Sequence, residues 1–296
     1  MVRQNSTRKG FVMIEKANAK VNLMLDVIAR REDGFHDLRS VMHSISLCDE
    51  LKIDFEDSDT VEISLSSNVL EIVNDDNLVC RAARLYMNRG GVVGKVNVFL
   101  EKKIPIGAGL GGGSSDAAAV IRALNKHFGC FTDEALLQLC AQIGSDVAFC
   151  CFGGSAICEG RGEIITPIEF DKKIDFVIAI GDERVSTPTA YKELDNKFSN
   201  FDGSVEKQVG KNAPSLVYND KGDALSLYNV FEEIIESKIA SVSKIKSLLM
   251  ENGAEVALMT GSGPAVFGIF ADANTAKIAA EKLNTLGIAA FCSVSA

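Results

Sequence analysis

The stretch "PIGAGLGGGSSDAA", residues 105–118, constrains the fold of this chain more than any other. It follows "KVNVFLEKKI", whose apolar residues alternate as in a β-strand. After it, apolar residues recur at helical spacing, at Ala117, Val120, Ile121, Leu124 and Phe128. Glycines between a strand and a helix let backbone N–H groups approach a ligand closely, and a helix that begins near Ser114 adds the positive end of its dipole. The pattern therefore predicts a phosphate-binding loop, with a flexible strand–helix connection as the alternative.

Two well-known phosphate motifs do not account for this loop. Gly107, Gly109 and Gly112 satisfy the dinucleotide fingerprint G-x-G-x-x-G. That fingerprint also needs an acid at the end of the next strand, whereas Asp133 lies in the first turn of a predicted helix. The Walker A motif needs a lysine where this chain has Gly113. If the loop binds phosphate, it therefore does so without either of these motifs.

The rest of the chain alternates strands and helices in an α+β order. Antiparallel strands dominate the first third, and a helix capped by Asn77 and another capped by Thr132 flank the strand and loop. The last third is predicted to contain three helices and three strands. We place a domain boundary after residue 165, which gives an N-terminal domain of residues 1–165 and a C-terminal domain of residues 166–296. Residues 196–223 are polar and predict a mobile loop or an insertion.

Composition excludes several classes of function. The chain has 31 basic and 40 acidic side chains, a net charge of -9, which disfavours binding to nucleic acid and leaves small-molecule chemistry open. No apolar run reaches the length of a membrane span or follows the N-terminal bases as in a secretory signal. The eight cysteines form no C-x-x-C pair and the chain has three histidines, so we expect free thiols in a reducing cytoplasm and no protein-bound metal.

Three segments resemble the motifs of one enzyme family. "AKVNLML" (residues 19–25), the glycine loop and "MTGSGPAVFGIF" (residues 259–270) are similar, in order and spacing, to the three motifs of the GHMP kinases. This resemblance covers nearly the whole chain. It implies a two-domain α+β fold with the active site in the cleft between the domains, and ATP with Mg²⁺ as cofactors.

The resemblance also implies which residues contact ATP. Asn77 and Lys103 are weaker candidates for the nucleotide site. The main candidates form the glycine loop: Pro105, Ile106, Gly107, Ala108, Gly109, Leu110, Gly111, Gly112, Gly113, Ser114 and Ser115.

Two residues are implied as catalytic. Lys20 lies in an otherwise apolar strand and, taken alone, would be a solvated lysine, but the family places this lysine in the active site. Asp146, in "GSDV", could simply cap a helix, but in the family this aspartate accepts the proton of the substrate hydroxyl. Asn22 shares a strand face with Lys20 and is expected to contact the substrate.

Further segments are similar to family members whose acceptor is a cytidine diphosphate derivative of a sugar alcohol. These segments are "AKVNLMLDVIARREDGFHDLRSVM", "DNLVCRAARL" and "GSDVAFC". The similarity implies that His36 hydrogen-bonds the cytosine while Phe35 and Tyr191 stack on its two faces. Phe35 is often tyrosine in these members, Ala148 replaces a usual proline, and Val230 replaces an acid beside Asn229, which leaves the contacts of that asparagine in doubt.

Two other functions stay open at this stage. The chain could be a family kinase that acts on homoserine or mevalonate, or a binding protein that keeps the fold without turnover. The presence of both Lys20 and Asp146 weighs against the second. We expect a cytoplasmic monomer or weak homodimer that binds ATP and a small molecule, without a nucleic-acid or membrane partner.

Overall fold

A computed structural model describes residues 12–170, 173–183, 186–197, 217–218, 224–236 and 238–296. The chain divides into two compact units. The first comprises Met1–Ala17, Cys48–Ile104 and Gly112–Phe152, and the second comprises Asn18–Leu47, Pro105–Gly111 and Gly153–Ala296. Two long strands, β1 (Met13–Arg30) and β2 (His36–Glu56), contribute residues to both units.

The first unit packs helices against one part of a mixed sheet. Its other elements are β3 (Val61–Ser67), α1 (Leu78–Gly90), β4 (Gly94–Glu101), α2 (Gly112–Phe128), α3 (Asp133–Ala141) and α4 (Ser145–Phe152), with a 3-10 turn at Leu70–Ile72. Strand β4 runs antiparallel to the second half of β2, with Glu50 opposite Glu101, and parallel to β3. Alternate residues of β4 are buried, which explains the strand periodicity of this segment.

The second unit contains three groups of paired strands and four helices among the described residues. Its elements are β5 (Ser155–Gly160), β6 (Ile164–Pro167), β7 (Asp175–Ile180), α5 (Thr187–Lys197), β8 (Val217–Tyr218), β9 (Ala224–Leu225), β10 (Tyr228–Asn229), α6 (Glu232–Ile235), α7 (Ala240–Glu251), β11 (Val256–Met259), β12 (Val266–Phe270), α8 (Ala273–Thr285) and β13 (Ala289–Val294). Strands β10, β1, β2, β5 and β6 are paired in that order, and β11-β12-β7-β13 form a four-stranded antiparallel sheet.

The α+β prediction is confirmed, and several local signals are confirmed with it. Asn77 accepts a hydrogen bond from the N–H of Val79 (2.8 Å), and Thr132 accepts one from Ala135 (3.3 Å), as N-caps do. Helix α1 ends at Gly90, and Gly91 takes the left-handed conformation that is common after the last residue of a helix. All eight cysteines are free thiols, but burial is complete only at Cys80, Cys140 and Cys158.

Two elements are more regular than their local sequence indicates. The segments "VMHSISL" and "ELKIDF" belong to one continuous strand, β2, and the short apolar run of residues 145–152 forms the helix α4. The predicted boundary after residue 165 lies inside Gly153–Ala296, the last segment of the second unit, and the chain passes between the units several times before it. As a division between family domains, that boundary stays a prediction. Most of the predicted loop 196–223 lies outside the described residues; Val217–Tyr218 pair with Ala224–Leu225.

None of the described helices is both long enough and apolar enough to cross a bilayer.

His43, in the second unit, is a buried neutral base. Its Nδ1 lies 2.7 Å from Ser155 Oγ and its Nε2 2.9 Å from Ser295 Oγ, and the rings of Phe170 and Phe176 pack against it. Burial lowers the pKa of His43 to about 4. The imidazole therefore joins β2, β5 and the C-terminal segment without carrying a charge.

This burial predicts a loss of stability on mild acidification. As pH falls below the unfolded pKa of about 6.5, the unfolded chain takes up a proton that the folded chain binds only near pH 4. The unfolding free energy should therefore fall by about 2 kcal/mol between about pH 7 and about pH 5 from this residue alone. Urea denaturation at both pH values measures this difference in unfolding free energy, which should be smaller in His43→Gln than in the wild type. An undiminished decrease would contradict the assignment, and His127→Gln, at an exposed histidine, is the control.

Candidate active site

The three predicted motifs meet within the second unit. The N–H of Lys20 donates to Leu110 O (3.0 Å), which joins the first motif to the glycine loop. The N–H of Ala265 donates to Ala108 O (3.1 Å), which joins the third motif to the same loop. Gly109 has φ +83°, and a Cβ there would lie 2.5 Å from Thr260 O, so glycine is required for this close approach. The loop is therefore held firmly rather than loosely connected.

The residues of the loop differ in what they can offer a nucleotide. Ala108 and Leu110 bury their side chains, so a ligand could reach them only through the backbone. Helix α2 begins at Gly112, two residues before the predicted start at Ser114, whose hydroxyl is partly exposed. Ser115 is buried and its hydroxyl donates to Cys150 Sγ (3.2 Å). Ser114 is thus the better placed of the two serines for a ligand contact.

Lys20 is buried, with 4% of its surface exposed, unlike a solvated strand lysine. Its ammonium group donates to Asn22 Oδ1 at 2.8 Å. A Cβ at Gly111 would lie 2.9 Å from Lys20 Cγ, so this glycine makes room for the lysine stem beside the loop. The structure brings the predicted catalytic lysine against the predicted phosphate loop.

Asn22 is the centre of a buried hydrogen-bond network. Its Oδ1 accepts from Lys20 Nζ, from Thr260 Oγ1 (3.1 Å) and from the N–H of Gly261 (3.0 Å), and its Nδ2 donates to Ser40 Oγ (2.8 Å). These contacts orient Lys20 and tie the first motif to the third. Substrate contact by Asn22 stays a prediction.

The third motif is supported by the segment that contains Val230. Asn229 Nδ2 donates to the carbonyls of Met259 and Gly261, both at 2.8 Å. Glu232 accepts from the N–H of Met259 (2.6 Å), and burial raises the pKa of this carboxyl. Val230 is fully buried in the apolar core, so the loss of an acid there leaves the contacts of Asn229 intact.

Asp146 lies in the first unit, in the first turn of α4. It is part of the helix rather than its N-cap, and its side chain is partly exposed. The positive end of the α4 dipole favours a carboxylate at this position. Ala148, which replaces a usual proline, is buried in the same helix. Because Lys20 and Asp146 lie in different units, their joint action stays a prediction.

His36 forms a polar pocket with two residues of α5. Its Nε2 lies 2.7 Å from Asp195 Oδ1, and its ring stacks on that of Tyr191 with centroids 4.7 Å apart. Tyr191 and Asp195 are one helical turn apart, so the same face of α5 presents both. Asp195 was not among the predicted site residues, and it occupies one of the two ring nitrogens through which His36 could hydrogen-bond a cytosine. Its position four residues after Tyr191 was the available signal.

Phe35 is 52% exposed and lies beside this pocket in sequence. The guanidinium of Arg161 lies over its ring, 4.7 Å from the centroid. The predicted stack of a base between Phe35 and Tyr191 stays untested, because here Tyr191 packs on His36.

The weaker nucleotide candidates are engaged elsewhere. Asn77 uses its side chain to cap α1 and to donate to Ile72 O (2.9 Å). Lys103 is exposed and pairs with Glu101 at 3.2 Å. Contact of either residue with a nucleotide stays a prediction.

Lys102, next to Lys103 in sequence, is the lysine whose side chain is buried, and it was not among the predicted site residues. Its ammonium donates to Asp49 (2.5 Å) and Asp116 (2.6 Å), and a Cβ at Gly112 would lie 2.9 Å from it. Burial raises the pKa of Asp116 to about 7, with Lys102 opposing and Asp49 adding to the shift. This ion cluster connects the N-terminal part of α2, through Asp116, to Lys102 and Asp49.

Comparison with protein families identifies this architecture. The model described as GHMP kinases N terminal domain matches residues 77–154, and the model described as GHMP kinases C terminal matches residues 211–289. The chain belongs to the GHMP kinase family. It is therefore an ATP-dependent phosphotransferase.

GHMP kinases of known name are similar to this chain over most of its length. A 4-diphosphocytidyl-2-C-methyl-D-erythritol kinase of Caldicellulosiruptor saccharolyticus is 39% identical over 276 residues, 92% of each chain. A kinase of the same name from a Geobacillus species (strain WCH70) is 40% identical over 87% of this chain and 88% of its own.

Solved GHMP kinase structures are similar in fold. The crystal structure of a 4-(cytidine 5'-diphospho)-2C-methyl-D-erythritol kinase has a TM-score of 0.79 and 31% identity, over 96% of this chain and all of its own. Methanococcus jannaschii mevalonate kinase has a TM-score of 0.69 at 18% identity, covering 97% and 99%, which supports the fold alone.

Proposed function

We propose that this kinase transfers the γ-phosphoryl group of ATP to the 2-hydroxyl of 4-diphosphocytidyl-2-C-methyl-D-erythritol, a step of non-mevalonate isoprenoid biosynthesis. The similarity to relatives of that name, at 36–40% identity over about nine-tenths of the chain, carries the proposal. The pocket of His36, Tyr191 and Asp195 supports it, because a ring face and polar groups suit a pyrimidine base.

In this proposal the glycine loop and the first turn of α2 hold the phosphates. Backbone N–H groups and the helix dipole favour the anion, and the Ser114 hydroxyl adds a polar contact. Lys20, oriented by Asn22 and packed against Gly111, supplies positive charge near the transferring group.

Asp146 completes the proposed chemistry as general base. Its carboxylate accepts the proton of the 2-hydroxyl while the hydroxyl oxygen bonds to the γ-phosphorus. The bond between that phosphorus and the β–γ bridging oxygen breaks, and ADP leaves with the electron pair.

The residues of this loop are compatible with a Mg²⁺ ion that binds together with the phosphates of ATP. The loop, residues 105–115, contains hydroxyl groups but no carboxylate, and Mg²⁺ accepts oxygen ligands from phosphates, water and hydroxyls. Ser114 is the loop side chain that could reach it. When bound, the ion would neutralise phosphate charge.

An acceptor screen tests the proposal. Purified protein with ATP and Mg²⁺ should release ADP with 4-diphosphocytidyl-2-C-methyl-D-erythritol and not with mevalonate or homoserine, as followed in a coupled assay. Phosphorus NMR of the product should show a new phosphomonoester beside the intact diphosphate. Turnover with mevalonate or homoserine alone would overturn the acceptor assignment. Nucleotide binding without turnover of any of the three would favour a binding protein.

A further inference from the structure

The Phe35 ring, half-exposed, has an arginine on one face. Arg161 Cζ lies 4.7 Å from the ring centroid, within the range of a cation–π contact. A guanidinium held over a ring by a cation–π contact keeps its N–H groups for other partners. This geometry therefore offers fixed hydrogen-bond donors beside an aromatic ring.

The β5–β6 hairpin holds Arg161 in this position. Leu38 lies opposite Gly160 in the β2–β5 register, which brings the end of β5 beside the turn that carries Phe35. The N–H of Arg161 donates to Glu163 (2.6 Å), whose carboxylate folds back against Gly160. The backbone of Arg161 is thus fixed by a tight turn, and its side chain extends over Phe35.

Arg161 differs from the neighbouring arginines in forming no ion pair with a described carboxylate. Arg30 lies 3.7 Å from Asp195, Arg31 pairs with Asp33 and Asp37, and Arg39 lies 3.9 Å from Glu159. Arg161 forms no ion pair within 4.0 Å with any residue that the structure describes, and at longer range its charge helps to lower the pKa of Asp33. A cation without a carboxylate, next to an exposed ring, is suited to an anion attached to an aromatic base.

We propose that Arg161 binds the diphosphate of a cytidine diphosphate acceptor, while Phe35 on which it stacks contacts the base. This inference rests on the proposed function. Guanidinium N–H groups match phosphate oxygens in geometry and charge. Because the contact with Phe35 already restricts the Arg161 side chain, binding costs less side-chain conformational entropy. Arg161 then distinguishes a nucleoside diphosphate from an uncharged nucleoside.

Titration calorimetry with two probes tests this role. Cytidine reports the base contact and cytidine diphosphate reports base and diphosphate together, with a saturating non-hydrolysable ATP analogue present to occupy the ATP site. In Arg161→Gln, the affinity for cytidine diphosphate should fall about tenfold while that for cytidine stays nearly unchanged. Arg161→Lys should retain part of the diphosphate affinity. Arg39→Gln, which removes an already paired arginine, should match the wild type.

Three outcomes would overturn the inference. An equal loss for both probes would mean that Arg161 only supports Phe35. Wild-type protein that binds both probes, with no loss for either in Arg161→Gln, would leave Arg161 without a ligand role and would overturn this inference alone. Wild-type protein that binds neither probe would overturn the acceptor assignment together with this inference.

Discussion

Asp146→Asn should lower kcat by about 10²–10⁴ while nucleotide affinity changes little. The amide keeps the size of the side chain but cannot accept the proton of the acceptor hydroxyl. The substitution lies at a partly exposed position in the first turn of α4, so the fold should tolerate it. Steady-state kinetics with the cytidyl acceptor and titration with an ATP analogue measure the two quantities separately.

A matched variant separates base catalysis from loss of charge at a helix terminus. Asp133 occupies the equivalent first turn of α3 and is exposed. Asp133→Asn removes the same favourable interaction with a helix dipole, worth about 0.3–1 kcal/mol, without touching the proposed site. It should leave kcat unchanged. If Asp146→Asn, shown by circular dichroism to be folded, retained near-normal kcat, Asp146 would not be the base.

The glycine loop illustrates what the sequence could predict. A strand pattern, several glycines and a helical pattern are local signals, and the structure has β4, the loop and α2 in that order. The same holds for the N-caps at Asn77 and Thr132, because capping depends on neighbouring residues.

Partners from distant segments could not be predicted in this way. Asp195 contacts a histidine 159 residues earlier, and nothing local to either residue specifies that pairing. Lys102 and Lys103 are adjacent and both follow the end of β4 at Glu101. Because they lie outside the strand, the alternation of its side chains does not predict which of the two is buried. Burial of Lys102 is decided by Asp49 and Asp116, which come from β2 and α2.

Helix α4 shows how a short apolar run misleads. Residues 145–152 are mostly apolar and span only about two helical turns, and the buried ones, Val147, Ala148 and Phe149, are consecutive rather than spaced along one helical face. The resemblance to the kinase family names Asp146 as a candidate, which stays a prediction, and does not predict the helix that carries it. Position in the motif and local structure are therefore separate pieces of information.

His36→Ala should raise the KM for the cytidyl acceptor by about 5- to 150-fold and leave the KM for ATP nearly unchanged. Removing the imidazole leaves a polar edge of the bound base without its partner, at a cost of about 1–3 kcal/mol. It also removes the ring on which Tyr191 stacks. Initial rates with each substrate varied at saturation of the other give both KM values.

Two further variants test how the pocket acts. Asp195→Asn replaces the carboxylate 2.7 Å from His36 Nε2, so it should disturb ring orientation and tautomer and give a smaller rise in the acceptor KM. His127→Ala removes an exposed histidine of the other unit and should change neither KM. A rise in the KM for ATP alone in His36→Ala would mean that the two nucleotide sites are interchanged. Unchanged KM values for both substrates would return His36 to a structural role, and the assignment of a cytidyl acceptor would lose its support from the site.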